Sequence, residues 1–352
     1  MVTSKLRLDR IASATRNAGL GAEVLVGPEI VAREGYVLAV RVVGEKPIYN
    51  QVEDLTGRLV RLRGGDVIAG VLGSRRALRG YAGEVPAELT PGDVVQILNL
   101  GGVLGKCTAA NPDLGPPFDA EVLGAVLSFP RTGDRVGRPA TIRDGAVPQA
   151  QHLEPGAPVV AVAGTCMDAG KTVAASEIVR GLSRAGLRCA GVKLTGVSLR
   201  RDALSMIDAG AVEALTFNDA GVVSTDAAAA LPTARGLLNE LGRRCRPAVV
   251  VAELGDGILG EYGVAELLAD RELTARFAAL VCCAPDQVGA WGATRILDER
   301  FGLRPTVISG PATDNEVGCR FIREQLGLTA ANARRGDGEL ARIVVEAVRA
   351  AA

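Results

Sequence analysis

Residues 164–172 read Gly-Thr-Cys-Met-Asp-Ala-Gly-Lys-Thr, and their flanks constrain the fold more than any other feature of this chain. An apolar run of strand type, Pro158-Val159-Val160-Ala161-Val162-Ala163, leads into them. A pattern with Ala175, Ile178, Val179 and Leu182 on one helical face follows. Strand, glycine-containing loop, Lys-Thr and helix together form a loop of the phosphate-cradling kind. The residue types have physical reasons. Backbone N–H groups of the loop and of the helix N-terminus converge on an anion, and the helix dipole favours negative charge there. Gly170 lets the backbone come close, Lys171 reaches the β- and γ-phosphates, and the Thr172 hydroxyl suits Mg²⁺. The chain has five lysines (5, 46, 106, 171 and 193) among 40 basic residues, so a lysine rather than an arginine at 171 fits a need for a compact point charge.

Five residues separate Gly164 from Gly170, where the usual pattern has four. The binding set on this reading is Gly164, Thr165, Asp168, Ala169, Gly170, Lys171, Thr172 and Val173. Asp168 either orients Lys171 or meets a substrate, because a carboxylate facing phosphates is repulsive without a cation between them. Cys166 sits near a helix N-terminus, which lowers a thiol pKa. Phosphoryl transfer needs no thiol, so oxidative inhibition is the role left to it.

A length of 352 residues predicts two or three domains, and 48% apolar residues can bury a large core. Net charge is zero with no concentrated basic stripe, which argues against nucleic acid or an anionic membrane as partner. No apolar run reaches the roughly 18 residues of a membrane span, and the first ten residues carry no signal core. These features point to a cytoplasmic protein. Seven scattered cysteines with no Cys-x-x-Cys pair, and His152 as the one histidine, argue against zinc.

The chain changes period along its length. Short β-like runs at 36–43, 58–63, 67–72, 93–100 and 120–127, separated by Gly/Pro turns, predict a β-rich sandwich or barrel over 1–130. A Pro-, Gly- and charge-rich stretch over 131–157 reads as a linker. Strand candidates at 159–163, 189–194, 248–253, 279–283 and 305–309 alternate with helices at 171–185, 201–209, 231–243, 261–269, 288–301, 314–326 and 337–351. That alternation over 158–352 predicts an α/β, doubly wound, mainly parallel sheet of the P-loop NTPase type, with ligands at the C-terminal strand ends.

Three further segments belong to the constellation. Lys193 ends the second strand and either binds phosphate or an anionic substrate or is a surface lysine. Asp202, in Arg201-Asp202-Ala203-Leu204, either favours a helix N-terminus or ligates Mg²⁺. Glu253 ends the apolar run 248–252 where such folds hold Mg²⁺. Asp256 is the second acid there and also fits an Asp-Gly turn; Glu253 is preferred. Asp219 and Asp226 read as solvated loop acids without a role.

These residues resemble dethiobiotin synthetase and its relatives. The likeness lies in Gly164-Thr165 with Gly170-Lys171-Thr172, in Ala190-Gly191-Val192-Lys193, in Arg201-Asp202-Ala203-Leu204 and in Val250-Val251-Ala252-Glu253, and it covers roughly 158–330. The resemblance implies ATP and Mg²⁺, with Thr172, Asp202 and Glu253 as metal ligands, Lys171 and Lys193 as catalytic cations, and a homodimer. It departs from the family at Glu253-Leu254-Gly255-Asp256-Gly257, at Lys193-Leu194 and near Ser309-Gly310-Pro311, and the β-rich first half has no counterpart. No Asn-Lys-x-Asp sequence reads guanine, which leans toward ATP. The expected activity is phosphoryl activation of a carboxylate or carbamate for attack by nitrogen. The alternative is a nucleotide-gated accessory or switch protein with a protein or cofactor client.

Overall fold

Strand pairing closes on itself in the first part of the chain. In the computed structural model, which describes residues 3–131 and 133–351, strand Asp119–Ser128 pairs with Val37–Val43, which pairs with Val67–Leu72. The latter runs parallel to Val103–Ala110, which pairs with Val94–Ile97, and that strand returns to Asp119–Ser128. The circuit is a five-stranded barrel, which leaves no free edge in the circuit. Its core is aliphatic: Leu38, Val40, Ile68, Leu72, Val95, Leu104 and Val122 are buried together. Met1 and Val2 of the predicted β-rich domain, Thr132 of the predicted linker and Ala352 at the end of the predicted α/β domain lie outside the described residues.

The compact unit built on this barrel comprises Met1–Val147 together with Val197–Arg200 and Asn218–Ser224. The two late segments are held by specific bonds within the unit. The buried Asn99 donates Nδ2 to the Ser198 carbonyl at 2.8 Å, and Asn17 donates to the Asn218 carbonyl at 2.7 Å. The fully buried Glu53 accepts from the Arg200 N–H at 2.6 Å and from the Ser13 hydroxyl. Asp219 is not a solvated acid; it pairs with Arg16.

The second unit is the rest of the chain, Pro148–Gly196, Arg201–Phe217 and Thr225–Ala352. It carries six parallel strands in the order Ala214–Thr216, Cys189–Lys193, Val249–Glu253, Val159–Gly164, Phe277–Cys283, Val307–Ser309. Its helices are α1 (Lys171–Arg184), α2 (Arg201–Asp208), α3 (Ala227–Cys245), α4 (Val264–Ala269), α5 (Arg271–Thr274), α6 (Gln287–Phe301), α7 (Glu316–Leu326) and α8 (Glu339–Ala350). The α/β parallel sheet read from the sequence is therefore present, preceded by the β-rich unit.

Successive strand residues face opposite sides. Val160, Val162, Val249, Val251 and Val281 share one core with Ile178 and Leu182 of α1 and Val344 and Val348 of α8. The alternate residues Val159, Ala161, Val250, Ala252 and Leu280 are buried as well, so both faces are covered. Each Val, Leu or Ile buried this way contributes about 1.5–3 kcal/mol. Helices α1 and α8 approach closely because position 181 is glycine: a Cβ there would lie 2.2 Å from Ala341 Cβ.

The α3 helix begins four residues ahead of its expected start at 231. Asp226, read as a solvated acid, accepts the Ala229 N–H at 2.8 Å and caps it. A short polar residue at this position satisfies an otherwise orphan donor. Among the described residues no helix is long and apolar enough to cross a membrane.

Candidate functional site

The Val159–Gly164 strand lies in the sheet between Val249–Glu253 and Phe277–Cys283, and the loop of interest leaves its C-terminal end. The loop is anchored at once. The Thr165 N–H donates to the Cys283 carbonyl and the Ile258 N–H to the Gly164 carbonyl, both at 3.0 Å. Farther on, the backbone turns through left-handed conformations at Asp168 (φ 61°) and Gly170 (φ 94°). Two other glycines grip it. A Cβ on Gly257 would lie 2.3 Å from the Thr165 carbonyl oxygen, and one on Gly310 2.3 Å from that of Ala169. Neither contact admits a side chain, so the loop is clamped between two backbone turns.

Helix α1 starts directly from Gly170 with no side-chain cap. The first-turn N–H groups of a helix have no intrahelical partner and favour an anion. By contrast α3, α6 and α7 carry Asp226, Asp286 and Asn315 as side-chain caps.

A charged cluster sits beside that turn. Lys171 is only 6% exposed, and its Nζ donates to the Cys166 carbonyl at 2.7 Å. The Thr172 hydroxyl donates to Glu253 Oε1 at 3.0 Å. Glu253 is 2% exposed and lies in register between Val162 on one neighbouring strand and Lys193 on the other. Its second oxygen, Oε2, is buried and has no hydrogen-bond partner. Lys193 and Asp202 form a buried ion pair.

The electrostatics follow from this packing. Burial pushes the Glu253 carboxyl above its usual range, and Lys193, Lys171 and the Thr172 hydroxyl do not cancel the effect. Burial opposes the charge on Asp202 too, but the Lys193 ammonium outweighs it and holds that carboxyl low. Burial pulls Lys193 down, yet Asp202 and Glu253 together raise it. The site thus holds two cations and one firmly ionised carboxylate around a second carboxylate that resists ionisation.

Lys171, Thr172, Lys193, Asp202 and Glu253, far apart in sequence, share this one cluster. Asp202 lies in the first turn of α2 and pairs there with Lys193. Ala169 turns its side chain into the apolar core, so only its backbone is offered to the loop. Val173 and Asp168 are exposed. Cys282 is fully buried, and its thiol is pushed up to about 12, which makes it inert. The sequence reading missed the clamping roles of Gly257 and Gly310. Their only signal is a glycine shortly after a strand end, which is common in this chain.

No family model and no curated protein matches the chain. Solved structures similar to it include the signal recognition particle receptor FtsY from Elizabethkingia anophelis, at 12% identity over 57% of this chain and 68% of that one, with TM-score 0.37. A DUF1611 family protein from Anabaena variabilis is 15% identical over 60% of this chain and 64% of that one, with TM-score 0.39. HypB from Helicobacter pylori in complex with nickel is 13% identical over 56% and 89%, with TM-score 0.36. Likenesses this distant leave the reading of the site to its own geometry.

Proposed function

We propose that the second unit binds a Mg²⁺–nucleoside triphosphate and acts on its terminal phosphoryl group. One observation carries this reading: a buried lysine at an uncapped helix N-terminus stands beside a hydroxyl–carboxylate pair whose outer oxygen is orphaned. The helix N-terminus and Lys171 would bind phosphate oxygens, and Lys193 is the second cation able to take up developing charge.

The donor set fits Mg²⁺. Thr172, Asp202 and Glu253 offer hard oxygen ligands, and the unpartnered Glu253 Oε2 is a buried acceptor in need of a partner. No cluster of three or more His, Cys, Asp or Glu that could hold a metal occurs among the described residues. That suits Mg²⁺, which is commonly held by one or two carboxylates together with substrate phosphates and water. When bound, Mg²⁺ would neutralise charge on the phosphates; the protein's part is to position them.

Within this chemistry the pairing of Lys193 with Asp202 favours a nucleotide-gated switch over activation of a carboxylate or carbamate. Asp202 meets Lys193 through Oδ2, so a cation taken up by the same carboxylate would compete with the lysine for its charge, and the start of α2 would respond to what the loop holds. ATP is the nucleotide we propose, from the missing guanine-reading sequence.

Calorimetric titration of ATP and GTP with Mg²⁺, on the wild-type protein and on Lys171→Ala, tests the reading. Losing charged hydrogen bonds worth about 1.5–3 kcal/mol weakens binding roughly 10- to 150-fold. Equal affinity in the two proteins sinks the site assignment, and tighter binding of GTP reverses the base preference. Phosphate release stimulated by a carboxylic acid or an amine would restore the ligase reading.

A further inference from the structure

The turn after the Val249–Glu253 strand has an unusual distribution of residues. Gly255 and Gly257 stand on either side of Asp256, and both are glycine for lack of space. A Cβ on Gly255 would lie 2.2 Å from the Thr195 carbonyl oxygen and 2.9 Å from Lys193 Cε. One on Gly257 would lie 2.3 Å from the Thr165 carbonyl oxygen and 3.2 Å from Cys166 Cα. The turn is therefore pinned at one end against the Lys193 strand end and at the other against the start of the phosphate loop.

The left-handed backbone falls on the residue between them. Asp256 has φ 74°, a conformation in which glycine is unstrained and a side chain costs energy. Its carboxylate also displaces a side chain elsewhere: a Cβ on Gly260 would lie 2.0 Å from Asp256 Oδ2. A turn with glycines on both sides and one beneath thus carries a carboxylate at its strained position. Lys171 of the phosphate loop acts on this carboxylate, and the neighbouring Gly255 abuts Lys193.

We propose that Asp256 accepts the proton of the nucleophile that attacks the terminal phosphorus, an inference that rests on the nucleotide reading above. With water as nucleophile, an O–H bond breaks as the new P–O bond forms. The bond from phosphorus to the β-phosphate oxygen breaks, and its electron pair leaves on that phosphate. The proton goes to Asp256 and then to solvent, giving nucleoside diphosphate and inorganic phosphate. Burial raises this carboxyl; the Gly257 N–H and Lys171 of the phosphate loop oppose the rise, and Glu261 of the following turn adds to it. A carboxyl raised toward working pH is a better base.

The test compares Asp256→Asn with the wild type, using calorimetry for ATP and GTP affinity and phosphate release from pH 5 to 9. Asparagine tolerates the same backbone. The expected result is unchanged affinity, a rate lower by about 10²–10⁴-fold, and loss of the acid limb of the pH–rate profile. Asp256→Gly, which relieves the backbone, should lose the same rate while melting no lower than the wild type. A merely structural Asp256 would leave the acid limb in place. A rate within about threefold of wild type with the acid limb intact overturns the proposal. A wild-type protein that binds neither nucleotide overturns the nucleotide reading, and this inference with it.

Discussion

Replacing Gly257 with alanine adds a single methyl group, and it adds it against backbone. The new Cβ would lie 2.3 Å from the Thr165 carbonyl oxygen, 2.9 Å from its carbonyl carbon and 3.2 Å from Cys166 Cα. Ordinary contact needs about 3.4 Å, so the two segments must part by roughly 1 Å. No flexible side chain can absorb this, because Thr165 is tied through its N–H to Cys283 at 3.0 Å. Overpacking of this kind costs about 1–3 kcal/mol, which lowers the melting temperature by roughly 2–10 °C. The functional effect should be larger in proportion, since a ~1 Å misplacement of a positioned group can cost about 10²-fold. The assay pairs thermal melts followed by circular dichroism with calorimetric titration of ATP and GTP. Gly292→Ala is the control: it lies inside α6 with nothing within 4 Å of its added Cβ, so it should stabilise by about 0.5–1 kcal/mol. A Gly257→Ala protein that melts and binds like the wild type would refute the claim that this glycine clamps the loop.

Other perturbations separate the remaining contributions. Asp202→Asn strands the buried Lys193 ammonium and should cost about 3–5 kcal/mol in urea unfolding; a loss below about 1 kcal/mol would show that the pair is not desolvated. The Glu253 carboxyl is raised from its usual 4.5 in the folded protein. Its stabilising share is thus complete below pH 4.5 and lost as pH rises through the raised value, so melting temperatures of the wild type and Glu253→Gln should diverge over that interval, and parallel curves would contradict the burial argument. Asp226→Ala removes the α3 cap and should cost about 1 kcal/mol, read as a shift in the urea midpoint; an unchanged midpoint would count against the cap.

Much of the second unit was legible because its signals are local. The run ending at Glu253, the glycine loop and the helical faces of α1, α6 and α8 are written in consecutive residues. What escaped is tertiary. Strand Ala214–Thr216 has three residues, too few for a period. Strand Val103–Ala110 carries small residues along its second half, where burial gives way to exposure, and no alternation of apolar and polar residues marks it. The start of α3 lies ahead of 231 because Asp226 is its cap, and Pro232 is accommodated inside the helix. For the site, the acids and lysines were visible but their partners were not. Lys193 and Asp202 are nine residues apart, and only the strand end and helix start bring them together. Close approach at Gly257 and Gly310 depends on segments distant in sequence, so no local pattern marks it.

The late segments of the barrel unit carry a consequence for how the chain is made. Asn17 finds its partner Asn218 across 201 residues, and Glu53 finds Arg200 across 147. A ribosome that has finished Val147 must still add the 77 residues to Ser224 before that unit has all of its parts. At synthesis rates of about 5–20 residues per second, the wait is roughly 4–15 s. During it, the buried Asn99 and Glu53 lack bonds that only later chain supplies. The barrel strands are thus all made well before their unit can be completed, and a chain stopped short of Ser224 would expose unpaired polar groups that cellular quality control can detect.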